Sequence, residues 1–288
     1  MAMDALPKRE ARYSAALVTF LVLAFPLSWY PWVLALLSHK GNGGPNPLGL
    51  LLAALIAAAV DGGWRGPLNV LRSIVRVRVR PELYASAILL PVAAVGAGIA
   101  LGLHEGIEIA PKPIPWSDLF DRFVFAFAFV ALGEEPAWRG FLLPLLQRRL
   151  EPLAATLIIA PIWAFWHLPL MGTEFAWSVV PAFLVTVVGG AIVLTWLYNA
   201  SGGSVFLTMI THAVINTVSA GYVFTMIKPD DVVRFWALYA VVWVAISILT
   251  LLLTGGRLGI TPTATADKNA APQTTSGTGA PRSSSRES

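Results

Sequence analysis

Residues Tyr84–Leu103 read YASAILLPVAAVGAGIALGL, with no charged side chain among them. At about 1.5 Å of rise per residue, a helix of that length is about 30 Å long, the thickness of the hydrocarbon core of a bilayer. Ser14–Leu37 is likewise uncharged and Val232–Leu253 carries only Arg234, so the apolar character belongs to the chain and not to one segment. Of the 288 residues, 56% are hydrophobic and only 12% are Asp, Glu, Lys or Arg. A soluble domain runs at about 45–50% apolar and about 25% charged. A globule of this size cannot hide so much apolar surface behind so few charges. A water-soluble enzyme, a nucleic-acid binder and a disordered scaffold are therefore excluded for most of the length.

The expected fold is all-α: a polytopic membrane helix bundle with about eight transmembrane helices, over 14–37, 47–61, 84–103, 119–147, 153–170, 177–198, 204–225 and 232–253. The second is short for a full crossing. The fourth is long and charged, so it is expected to extend beyond the membrane. Lys8, Arg9 and Arg12 precede the first apolar stretch as in a signal peptide. That stretch exceeds the usual h-region of about 7–15 residues and no small-x-small site follows, so it reads as an uncleaved span. The expected organisation is an N-terminal segment and first span (1–46), a core (47–225), a last span (226–254) and a disordered tail (255–288), where Thr, Ser, Gly, Ala and Pro cannot bury a core.

Charge alternates between loops. Arg65, Arg72, Arg76, Arg78 and Arg80 follow the second span, Arg148 and Arg149 the fourth, and Arg257 the eighth. The intervening loops hold Glu105, Glu108, Asp118 and Glu174 against Lys112. Cytoplasmic loops collect Lys and Arg, which places both termini in the cytoplasm and explains the net charge of +4 without a nucleic-acid partner. The chain has no cysteine, which excludes disulfides and thiolate chemistry.

Ionisable groups inside spans cost about 2.5–3.5 kcal/mol each near the bilayer centre on insertion scales, so they mark function by default. Here they are Glu134, Glu135 and Arg139 in the fourth span, His167 in the fifth and His212 in the seventh, with Asn216 one turn beyond. Helical rise puts Glu134 roughly 21 Å from Arg148, His167 roughly 21 Å from Leu153, and His212 and Asn216 roughly 12 and 18 Å from Ser204. Overlapping depths on three helices allow one shared cavity. Residues four apart share a face, so Glu135 meets Arg139 and His212 lies under Asn216. Glu134 sits about 100° round from Glu135 and points elsewhere. Gly133 and Pro136 bracket the pair, and a proline removes an N–H from the ladder. A Glu–Arg pair in a span serves structure as readily as chemistry, and Trp163–Trp166 reads as packing.

Glu134-Glu135-Pro136-Ala137-Trp138-Arg139 resembles the Glu-Glu-x-x-x-Arg motif of the CAAX protease and bacteriocin-processing (CPBP) intramembrane protease family, which includes CAAX prenyl protease 2 and lysostaphin resistance protein A-like members. Trp163-Ala164-Phe165-Trp166-His167 is similar to its Phe-x-x-x-His motif, with Trp at the usual Phe position. His212-Ala213-Val214-Ile215-Asn216 matches His-x-x-x-Asn. The motifs stand in family order on separate spans, and the resemblance covers roughly 47–225. It implies an endopeptidase acting on membrane-associated proteins, prenylated or peptide-precursor. It further implies that Glu134 and His167 activate water while His212 and Asn216 stabilise the oxyanion, with Glu135 and Arg139 in support.

Those roles suit amide hydrolysis, which needs a water, a base for its proton and donors to the oxyanion. No cofactor is favoured. Zinc stays open, since Glu134, Glu135, His167 and His212 could supply the three ligands of a catalytic site. Asn216, however, suits an oxyanion better than a metal, and no His-Glu-x-x-His run is present. Expected partners are a membrane-associated protein or peptide substrate and the lipid bilayer. The expected location is the bacterial plasma membrane, as a multi-pass protein. The alternatives are a non-catalytic immunity or scaffold protein and, as buried Glu and His also relay protons, a proton-coupled transporter.

Overall fold

A computed structural model describes residues 5–39, 43–113 and 115–260. Helix α1 (Ala5–Ser38) leads to α2 (Pro47–Gly62), the short α3 (Arg65–Ile74) and α4 (Pro81–His104). The long α5 (116–146) follows, then α6 (Pro152–Trp166), α7 (Val180–Ala200), α8 (Val205–Val218) and α9 (Val232–Thr254). Among the described residues there is no β-strand beyond isolated bridges. Hydrophobicity is turned inside out relative to a soluble protein. Ile88, Leu89 and Val92 on α4, and Leu249, Leu252 and Leu253 on α9, face outward, while Glu134, Glu135 and Arg139 are buried. Lipid accepts the outer apolar faces, and the bundle interior supplies partners to the polar groups.

Among the described residues, six helices are long and apolar enough to cross a membrane: Arg9–Ser38, Pro81–His104, Pro152–Leu170, Trp177–Ala200, Val205–Met226 and Pro229–Thr254. The other two expected spans differ for local reasons. Helix α2 has 16 residues, about 24 Å at 1.5 Å per residue. It starts where the Asn46 side chain accepts from Leu48 N at 3.1 Å and Pro47 takes the first helical position. Helix α5 is not regular. Its α-helical pieces Trp116–Phe125, Leu132–Glu135 and Leu143–Leu146 are separated by wide π-helical turns over Ala126–Ala131 and Pro136–Leu142. Such turns recur at functional sites because they rotate one side chain out of step with its neighbours.

Helix α2 lies along α1 and seats its first turn on the middle of α5. A Cβ at Gly133 would stand 2.4 Å from the Pro47 backbone, so only glycine permits this approach. Residues 133–139 of α5 are all buried, enclosed by α2, α3, α6 and α8. Helix α9 packs on α7 and α4, and α8 on α4 and α5.

Two sequence expectations need correction. The basic stretch after α2, expected to be a loop, contains α3, whose Val70 and Ser73 face inward while Arg65, Leu71 and Arg72 face out. Its arginines conceal the helical spacing of Val70 and Ser73. Residues 255–260, grouped by composition with the tail, form a turn after the left-handed Gly255, with Leu258 fully buried. The remainder of the expected tail, 261–288, lies outside the described residues.

Candidate active site

The Glu134–Glu135 pair sits on the four-residue piece of α5 between the two π-helical turns, and the two carboxylates diverge. Glu135 is fully buried, and its Oε1 accepts from Arg139 Nη1 and from His212 Nδ1, each at 2.9 Å. The i,i+4 pairing is thus made, and α8 is tied to the same oxygen. Removing the buried guanidinium would leave an uncompensated charge, the costly way to break such a pair.

Glu134 turns the other way. Its Oε2 accepts from the indole Nε1 of Trp163 on α6 at 2.6 Å, a charge-assisted hydrogen bond. The Trp163 carbonyl also receives His167 Nδ1 at 2.8 Å, one turn on. That bond puts the His167 proton on Nδ1 and leaves Nε2 as its free acceptor. Trp163 packs edge-on to His212, with ring centroids 5.6 Å apart, and carries the Arg139 guanidinium over its face at 4.3 Å. It therefore touches all four ionisable groups around it. A tryptophan in an apolar span reads as packing; only a partner 29 residues away in sequence gives its N–H a task.

Glu134, His167, His212 and Asn216 line one cavity of about 480 Å³. Glu135 and Arg139 do not reach it; they lie beneath its floor. The opposite wall is aromatic. Tyr239 and Trp243 of α9 line it, and the Tyr239 hydroxyl and Trp243 Nε1 are buried with no hydrogen-bond partner among the described residues. Sequence reading passed over both, although each is a polar aromatic in mid-span. His39 and His104 lie at helix ends away from the cavity.

Among the described residues, no three His, Asp or Glu side chains stand close enough to hold one metal ion. The chemistry of the set explains this: Glu135 Oε1 is shared by a guanidinium and an imidazole, and Glu134 Oε2 is taken by an indole. The four-residue zinc set is therefore not assembled in this arrangement.

A helical bundle with a polar cavity of this kind buried between its spans defines an integral membrane protein with an intramembrane site. Residues 116–218, which contain all three motifs, match the family model described as Type II CAAX prenyl endopeptidase Rce1-like. The resemblance drawn from the motifs is borne out. CAAX prenyl protease 2 of Methanococcus maripaludis is 26% identical over 102 residues, which cover 32% of this chain. The match spans 38% of that relative's length.

Proposed function

We propose that the chain is an intramembrane endopeptidase that hydrolyses a peptide bond of a membrane-associated protein or peptide precursor with a water activated by Glu134 and His167. One observation carries this above the others: Glu134, His167, His212 and Asn216, from three separate parts of the bundle, face a single cavity inside it.

The water hydrogen-bonds to Glu134 and to Nε2 of His167. Its oxygen attacks the scissile carbonyl while Glu134 takes the released proton. The carbonyl becomes an oxyanion facing Asn216 Nδ2–H and Nε2–H of His212. In this donating role His212 carries protons on both nitrogens and hydrogen-bonds Glu135 through its Nδ1–H. The C–N bond then breaks, and the proton held by Glu134 passes to the leaving amine. Trp163 keeps the Glu134 carboxylate aimed, and Arg139 balances the charge of Glu135 below the floor. General acid–base help and preorganised donors are each worth about 10²–10³-fold or more, which is ample for a hydrolase.

We read this chemistry as metal-free. Purified protein shown by elemental analysis to lack metal should keep its peptidase activity after chelation; loss of activity restored by zinc would reverse that reading. The archaeal relative's name brings prenylated C-terminal peptides into view as one substrate class, and exported peptide precursors are the other. The decisive comparison is of peptide termini in membranes carrying the wild type and Glu134→Gln. Termini present with the first and missing with the second identify the substrate. Identical termini would favour the non-catalytic alternative.

A further inference from the structure

The cavity occupies one half of the bundle only. Along α5 its lining stops at Glu134, on the α6 side it begins at Trp163, on α7 it stops at Gly190, on α8 it begins at His212 and on α9 it stops at Trp243. Beneath these residues the centre of the bundle is filled. Trp138, Arg139 and Leu142 close the floor, and Thr156 of α6 bonds Thr195 of α7 at 2.8 Å beneath it. The other end is open, with Arg122, Glu174 and Gly221 at the rim.

The closed end is the arginine end. Contacts between loops show that they share one face: Arg148 pairs with Asp61, Arg149 with Glu10, and Arg76 reaches the Gly202 carbonyl. Arg72, Arg78 and Arg80 stand exposed on the same side. The rim end is acidic. Glu105, Glu108, Glu174, Asp230 and Asp231 gather there, and among the described residues three of its four Lys and Arg are engaged locally: Lys228 with Glu108, Arg234 with Glu105, and Lys112 with the Thr225 carbonyl. An excess of Lys and Arg in short loops marks the cytoplasmic face.

We infer that the cavity opens on the extracytoplasmic side, so that its substrate is a peptide segment presented there: an exported peptide or the outer end of a membrane-anchored precursor. A lipid-modified C-terminus displayed in the cytoplasm would meet the closed floor. The substrate class rests on the proteolytic reading; the sidedness does not.

The cysteine-free chain suits the test. Single-cysteine variants Glu174→Cys at the rim and Arg78→Cys on the arginine face are treated with a membrane-impermeant maleimide, in intact cells and in lysed membranes. Asp230→Cys and Arg148→Cys form a second pair, used wherever one of the first fails to react after lysis. Rim positions labelled in intact cells, with arginine-face positions labelled only after lysis, is the expected result. The reverse pattern, or labelling of both faces in intact cells, overturns it. The Glu134-dependent peptide termini then test the substrate class. Termini in extracytoplasmic segments support it, and termini confined to cytoplasmic segments overturn it while leaving a protease. No Glu134-dependent termini at all would overturn the proteolytic reading and leave the sidedness to the labelling.

Discussion

The two halves of this bundle are built from equally apolar sequence, yet one is solid and the other hollow. In the solid half, α5 from Glu135 onward is surrounded by α2, α3 and α8, and the buried Glu135–Arg139 pair holds its centre. In the hollow half, the first part of α5 exposes Phe120, Val124 and Phe125, and aromatic rings from α6, α7 and α9 line the cavity instead of filling it. Composition does not separate them. The difference arises where α5 loosens into π-helical turns on either side of the glutamates. One carboxylate then belongs to the packed half and its neighbour to the cavity.

The sharpest way to break that division of labour is Glu134→Gln. Peptide turnover should fall by about 10²–10⁴-fold, the usual worth of a positioned base, while the melting curve stays that of the wild type. A matching loss of stability would mean that Glu134 belongs to the packed half after all. Arg139→Met attacks the other side and should destabilise the fold by about 3–5 kcal/mol, since it strands a buried carboxylate; thermal unfolding in detergent measures it. Combining it with Glu135→Leu should restore most of that stability, because an apolar replacement for a buried pair is often neutral. Activity should remain lost, since His212 then has no partner.

Trp163→Phe tests the seam between the halves. It keeps the ring and deletes the N–H bonded to Glu134. A hydrogen bond to a charged group is worth about 1.5–3 kcal/mol, so kcat should drop by about tenfold or somewhat more with KM nearly unchanged. A rise in KM alone would assign Trp163 to binding.

The smallest effect is expected at the acidic rim, where Lys112, the Ala110 N–H and the Ile109–Ile227 bridge strap the loop after α4 to the loop before α9. Lys228 beside Glu108 holds that carboxyl below its ordinary range, and Glu108 raises Lys228 in turn. A depressed carboxylate stabilises the strap above its unfolded value and ceases to as pH falls through its folded one. The strap should therefore hold at neutral pH and loosen in acid, as Glu108 is protonated, and in strong alkali, as Lys228 loses its proton. Glu108→Gln should loosen it at neutral pH, seen as faster amide exchange at residues 107–110 without change elsewhere.

Much of this was legible in local pattern. The runs of apolar residues place α4, α7 and α9 within a few residues of their observed ends, and α1 at its C-terminal end only, since that helix begins nine residues before its apolar run. The four-residue spacing of Glu135 and Arg139 predicted their bond, because the helix itself brings such positions together. Helical rise alone brought Glu134, His167 and His212 to overlapping depths. The amphipathic α3 was hidden by its arginines, and the irregular turns of α5 leave no signal in an apolar alphabet beyond Gly133 and Pro136.

By itself, then, the sequence determined that the chain crosses a membrane, which polar side chains it carries there and at what depth. These follow from transfer free energy and helical rise, which act residue by residue. Only the tertiary structure decided that Trp163 holds Glu134, that His212 reaches Glu135 from 77 residues away, and that the cavity fills one half of the bundle. Those facts depend on how helices rotate and close against one another, and packing of that kind is a property of pairs of surfaces that no single stretch of residues contains.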